Sequence, residues 1–205
     1  DLLYIIPLEG NISGGTADFI LRALAEAQQR QADGIILVLK TFGGYADSMT
    51  EIGDAISKSK IPVDVFVEGR AISAGAYIAL CGNRIVISPD GVLGASQPLV
   101  TDGTPAPEKT IAAFRKMFRA VAEARAQRKG IDLDPRIAEA MVDPAVEVEG
   151  VVAKGEILAL TAREALDYNY ADLMADNLNE AIIALGFEDL ATVYVKQTPV
   201  ESLVR

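Results

Sequence analysis

Gly69-Arg70-Ala71-Ile72-Ser73-Ala74-Gly75-Ala76-Tyr77-Ile78-Ala79-Leu80 decides how the rest of the chain is read. It follows an apolar, β-branched run, Ile61–Val67, with the pattern of a buried strand, and it becomes small and apolar with helical character. Ser73 therefore falls where a buried strand turns, through Gly69, into a helix. A serine in front of a helix is most often an N-cap. The same position also suits a nucleophile, because unpaired backbone N–H groups and the positive end of the helix dipole favour negative charge developing on a carbonyl oxygen.

A second junction of this kind lies upstream. Ile35-Ile36-Leu37-Val38-Leu39 is apolar at every position, as expected of a central parallel strand covered on both faces. It runs into Thr41-Phe42-Gly43-Gly44-Tyr45 and then a helix through Met49, Ile52 and Ile56. Adjacent glycines let backbone N–H groups approach a bound carbonyl without side-chain interference, although glycine also punctuates ordinary turns.

Around these junctions the pattern is strand Leu2–Ile6, a helix opened by Gly14-Gly15-Thr16, strand Ile35–Leu39, a helix, strand Ile61–Val67, the Ser73 helix, and strand Arg84–Ser88. This β-α-β-α-β-α-β order predicts a mostly parallel sheet with right-handed crossovers. Val92–Ser96 reads as another short strand, Gln97–Pro107 as a polar loop, and Glu108 to about Arg128 as a long helix. A short helix from Asp134-Pro135, a β pair over Val146–Val152, a capping box at Thr161 and Glu164, and a helix near Asn177–Leu185 follow. Residues 1–190 read as one domain, and 191–205 as a C-terminal strand, tail or linker. The chain opens in strand without an initiator methionine, as a fragment of a longer protein would.

Composition excludes several chemistries. The 205 residues carry a net charge of −10, which argues against a nucleic-acid partner. The single cysteine rules out an internal disulfide. There is no histidine, so neither a Ser-His-Asp triad nor a His-ligated zinc site can be built from this chain. No metal or cofactor is expected. A serine hydrolase here needs another base, and lysine is the obvious one because burial or neighbouring cations lower its pKa. Lys109 follows the polar loop in the first turn of the long helix, with Lys116 two turns on; Lys40 lies beside the glycine pair. Most helix lysines are solvated charges.

Thr-Phe-Gly-Gly, Ser-Ala-Gly-Ala-Tyr-Ile-Ala, Gly-Ala-Ser-Gln-Pro and Leu-Thr-Ala-Arg-Glu-Ala-Leu occur in that order. Together they resemble the ClpP/crotonase fold, and within it the NfeD-type membrane-associated serine proteases with a Ser-Lys dyad, also called stomatin-specific proteases. The resemblance spans about residues 1–190. It implies Ser73 as nucleophile, Lys109 as general base, and the backbone N–H groups of Gly44 and Ala74 as oxyanion hole. It also implies a dimer or larger homo-oligomer, substrates with hydrophobic stretches such as the C-terminal region of a stomatin-family protein, and a membrane-associated parent with this soluble domain on the extracytoplasmic side. Lys40 and Phe42 stand where the family usually has an acid and a proline, which keeps Lys40 and Lys116 open as alternative bases. An acyl-thioester enzyme of crotonase type and a non-catalytic interaction module are the competing readings.

Overall fold

In the computed structural model, which describes residues 1–203, the chain alternates strands and helices. In order they are β1 (Leu2–Glu9), α1 (Gly14–Gln29), β2 (Gly34–Thr41), α2 (Ala46–Lys58), β3 (Val63–Ile72), α3 (Ala74–Cys81), β4 (Ile85–Ile87) and β5 (Val92–Gly94). Then come α4 (Glu108–Lys129), α5 (Pro135–Val142), β6 (Ala159–Thr161), α6 (Ala162–Asp167), β7 (Leu173–Met174), α7 (Leu178–Ala184), β8 (Ala191–Tyr194) and α8 (Pro199–Leu203). The last two residues of the C-terminal tail, 204 and 205, lie outside the described residues.

The strands form one sheet in the order β6-β5-β3-β2-β1-β8, with β4 joining β3 to β7. Every pairing is parallel except β5 with β6. The unbroken apolar runs of β1 and β2 have the expected cause: both faces are covered. Tyr4, Ile6, Leu8, Ile35, Leu37 and Leu39 enter the larger core beneath α1, α2 and α3. Leu3, Ile5 and Ile36, with Phe66 and Val86, enter a smaller core closed by Ala181, Ile182 and Leu185.

Two local expectations are corrected. Gly69 does not end its strand; it is a bulge within β3 at φ +82°, and its N–H donates to Ser88 Oγ at 2.9 Å. The register against β2 shifts across it, from Leu39 opposite Val67 to Thr41 opposite Ala71. On the other side β3 changes partner there, pairing with β4 through Val65–Val67 and with β5 through Arg70–Ile72. A bulge strengthens local twist, and here the sheet forks. The expected β pair over Val146–Val152 contracts to a single antiparallel bridge between Val148 and Val152.

Helix α4 is tied down along most of its length. The fully buried Arg125 donates to the carbonyls of Asn169 at 3.1 Å and Asn83 at 3.3 Å. Its outer nitrogen lies 2.9 Å from Asp172 Oδ1, an ion pair not aligned as a hydrogen bond. Asp172 Oδ2 also accepts from the Ile85 N–H at 2.7 Å. Arg119 bonds Glu139 of α5 at 3.0 Å, and Arg115 pairs with Asp143. The first turn is different: Pro107 is its N-cap and supplies no side-chain cap.

At the far edge, β8 pairs with β1, and α8 packs on α1 through Arg22, whose guanidinium meets both oxygens of Glu201 at 2.9 Å. Those hydrogen bonds hold the Glu201 carboxyl at about 2, below its ordinary 4.5. A carboxylate with a depressed folded-state pKa contributes stability above its unfolded value and loses it as pH falls through the folded one. Docking of α8 should therefore weaken between pH 4.5 and about 2, seen as faster amide exchange in α8. Arg22→Ala should remove that pH step, and an unchanged step would contradict the tether. Asp172→Ala leaves the Arg125 charge buried without its partner and should cost about 3–5 kcal/mol in chemical denaturation. A loss under about 1 kcal/mol would show that the carbonyls suffice.

Candidate active site

Ser73 stands between β3 and α3 with φ 57° and ψ −121°, and its side chain makes no capping hydrogen bond. The N-cap reading therefore fails. A non-glycine residue held there costs on the order of 1–3 kcal/mol and persists only where its surroundings impose it. The Ser73 N–H donates to Gly94 O at 3.0 Å, and its carbonyl accepts from the Ala76 N–H at 3.0 Å and from Ser96 Oγ at 3.1 Å. The hydroxyl is left half-exposed on the wall of a cavity of about 510 Å³.

The glycine loop passes directly in front of Ser73. Thr41 shapes it, donating from Oγ1 to Gly10 O at 2.6 Å and accepting the Gly43 N–H at 2.9 Å. A Cβ on Gly43, which has φ +111°, would lie 2.7 Å from Ser73 Cβ; a Cβ on Gly44 would lie 2.0 Å from Ile12 O. Gly75 is needed for the same reason, since its Cβ would come within 2.5 Å of Thr41 Cγ2. The two motifs thus interlock backbone against backbone. The Ile12 N–H donates to Gly43 O at 3.0 Å, and Ile12 O accepts the Tyr45 N–H at 2.9 Å. The intervening Gly44 N–H is thereby turned away from Ile12, and Gly44 lines the cavity with Ser73 and Ala74. Ala74 opens α3, so its N–H has no carbonyl partner within the helix.

The cavity is otherwise apolar. Met49, Phe114 and Phe118 line it, with Tyr45, Leu99 and Val100 exposed at its edge. Phe118 packs against Tyr77, ring centroids 5.4 Å apart. The Gln97–Pro107 loop is more ordered than its composition suggested: Leu99 bridges Pro105, and the Val100 and Ala106 N–H groups bond Thr104 O and Pro98 O, each at 2.9 Å. Burial pushes the Cys81 thiol up to about 12, so it stays protonated at neutral pH and offers no thiolate.

The lysines are less closely gathered. Lys109 lies in the first turn of α4 and is exposed; its neighbours Pro107 and Thr110 line the cavity, and Lys109 does not. Lys116 is 69% exposed and sits 3.8 Å from Glu139. Lys40 follows Leu39 in β2, so strand alternation sends its side chain to the face shared by Ile36 and Val38, away from Thr41 and the cavity. Ser73, Ala74 and Gly44 are brought together, and none of the three lysines is among the residues lining the cavity. Ser96 was missed as a site residue, although it stands in the Gly-Ala-Ser-Gln-Pro segment. No helix of the described residues is long and apolar enough to cross a membrane.

With this geometry in place, the family model for the NfeD1b N-terminal domain matches residues 2–195. The chain belongs to that family. It is 37% identical over 204 residues to membrane protein NfeD1b of Bacillus subtilis, covering 99% of this chain and 45% of that protein. It is 32% identical over 190 residues to a membrane-bound protease of Pyrococcus horikoshii, covering 89% of this chain and 39% of the relative. The chain thus spans less than half the length of these curated relatives. Among solved structures it superposes on the 1510-N membrane-bound stomatin-specific protease, a lysine-to-alanine variant in complex with a substrate peptide, with TM-score 0.80 and 27% identity over 99% of this chain and 95% of that one. ClpP1 from Listeria monocytogenes shares the fold, with TM-score 0.64 at 21% identity over 85% of this chain and 92% of that one. The mostly parallel α/β architecture of this NfeD1b-family domain is therefore ClpP-like.

Gly43→Ala tests the interlocking loops. It imposes a strained φ and presses on Ser73, and should cost about 1–3 kcal/mol, lowering Tm by several degrees. An unchanged Tm would show that the loop does not depend on the glycine.

Proposed function

We propose that this domain is a serine endopeptidase of Ser-Lys type, acting on extended protein segments with hydrophobic side chains. The observation that carries the proposal is the Ser73 backbone: a strained strand-to-helix turn, uncapped, with its hydroxyl at an apolar cavity beside Gly44 and Ala74. The likeness to a stomatin-specific protease solved with a substrate peptide supports it.

In the proposed reaction Ser73 Oγ attacks the scissile carbonyl carbon as its proton passes to the neutral amine of Lys109. The N–H groups of Gly44 and Ala74 hold the oxyanion. The tetrahedral intermediate collapses, the leaving amine takes the proton from Lys109, and an acyl-enzyme remains. Water, deprotonated by the same amine, then attacks the ester and frees Ser73. Lys109 enters when peptide binding brings the first turn of α4 and the Leu99–Pro105 hairpin over the cavity. That turn has no side-chain cap, and its exposed Glu108 is held only loosely, 3.8 Å from Arg115, whose close partner is Asp143.

Met49, Phe114 and Phe118 suit an apolar side chain next to the scissile bond, and a stomatin-family protein is a fitting substrate. The same proposal makes the parent a membrane protein with this domain on the extracytoplasmic side, working as a homodimer or larger homo-oligomer. No residue lining the cavity is basic, which disfavours an acyl-thioester whose nucleotide phosphates need cations. The exposed position of Lys109 gives a non-catalytic interaction module its specific support.

Cleavage of an unstructured protein and of a hydrophobic peptide library decides between them. Ser73→Ala and Lys109→Ala should each abolish turnover with the fold intact, while Lys116→Ala should stay close to wild type. Activity surviving in Ser73→Ala would overturn the nucleophile. Loss in Lys116→Ala or Lys40→Ala, but not in Lys109→Ala, would move the base. An inert wild type that still binds peptide would favour the interaction module.

A further inference from the structure

We propose that Ser96 is a positioning residue: its hydroxyl, bonded to the Ser73 carbonyl, fixes the peptide plane whose other end is the Ala74 N–H. This rests on the endopeptidase reading, in which that N–H holds the oxyanion.

Two strained residues lie side by side. In the β3–β5 ladder Ile72 pairs with Gly94, and the next residue on each strand has positive φ: Ser73 at 57° and Ala95 at 49°. Ala95 is imposed from the far side, its N–H donating to Leu158 O at 2.8 Å, and the Ser96 N–H donates to Met141 O at 2.7 Å. Ser96 is therefore anchored to α5 and to the approach of β6, independently of Ser73. It is only 6% exposed, so its hydroxyl needs a partner within the protein. Two acceptors are in reach, Ser73 O at 3.1 Å and Gly94 O at 3.2 Å. Each already accepts one backbone N–H at 3.0 Å, Gly94 O from Ser73 and Ser73 O from Ala76, and the Ser73 carbonyl is the slightly nearer of the two to the Ser96 hydroxyl.

The consequence follows from the peptide bond. Ser73 C=O and Ala74 N–H belong to one planar trans unit and point in opposite directions. Holding the oxygen toward Ser96 fixes the opposite direction for the N–H of Ala74, which lines the cavity as Ser96 itself does. If this plane turned over, a carbonyl oxygen would face the developing oxyanion and repel it. The Ala76 N–H also holds the Ser73 carbonyl, so losing Ser96 should loosen the plane rather than invert it. Oxyanion stabilisation depends on donors fixed before charge develops, so the effect belongs in kcat and not in KM.

The test combines peptide hydrolysis with NMR of the labelled chain for wild type, Ser96→Ala, Ser96→Thr and Ser96→Cys. In Ser96→Ala, kcat should fall between about ten- and a hundredfold, less than for loss of an oxyanion donor outright, with KM unchanged. The Ser73 carbonyl carbon should move upfield as it loses a hydrogen bond. Ser96→Thr should restore both, and Ser96→Cys, a weak donor of similar size, should fall between; it also serves if the alanine variant does not fold. An unmoved Ser73 carbonyl in Ser96→Ala, or kcat and KM changing together without threonine rescue, overturns the proposal. A wild type that cleaves nothing and resists labelling of Ser73 by a fluorophosphonate would sink the endopeptidase reading instead. The carbonyl shift would then decide by itself whether Ser96 holds the plane.

Discussion

Everything at the site depends on one crowded crossing, where the Gly43-Gly44 backbone passes between Ile12 and Ser73 with no room for a Cβ on either side. Main chain packed this closely cannot move to admit a side chain, and cores packed at crystal-like density pass such strain on rather than absorb it. The contact sets Gly44 on the wall of the cavity that Ser73 also lines. It also explains why Thr41, Gly75 and Ile12 matter although none carries reactive chemistry: they hold the crossing closed.

The fork in the sheet supplies the other half of the constraint. Because β3 bulges at Gly69, its last residues leave β4 and pair with β5, and that pairing brings Gly94 O to the Ser73 N–H. The cost of the Ser73 conformation is thus met by hydrogen bonds from strands that a regular β3 would not reach. Helix α4 closes the cavity from above in a graded way, with buried Arg125 and the Arg115 and Arg119 pairs fixing its body and the first turn left uncapped.

Elements whose signal is local were legible in the chain. Both faces of β1 and β2 are buried, as their unbroken apolar runs require, and Thr161 and Glu164 form the capping box their spacing predicts. The glycine pair and Ser73 were legible as well, because Gly-Gly after a strand and a serine before a small-residue helix each carry a backbone signature. Gly69 was misplaced: a glycine with positive φ serves a turn or a bulge equally well, and only the partner strands distinguish them. Ser96 gave no signal of its own, since a buried serine at a strand end is common and its value lies in a neighbour 23 positions away.

By itself the sequence determined the chemistry that is possible and the pieces that carry it. A chain without histidine cannot build a Ser-His-Asp triad, continuous apolar strands must lie inside a covered parallel sheet, and a Gly-Gly loop and a serine at successive strand ends must share the sheet's C-terminal edge. These follow from residue type and short-range periodicity. Only the tertiary structure decided which groups meet. It put Ser96 behind the Ser73 carbonyl, sent Lys40 to the far face, and left Lys109 exposed in an uncapped first turn. Such placements depend on strand partners, a bulge and ion pairs between residues far apart in the chain, and no local pattern encodes them.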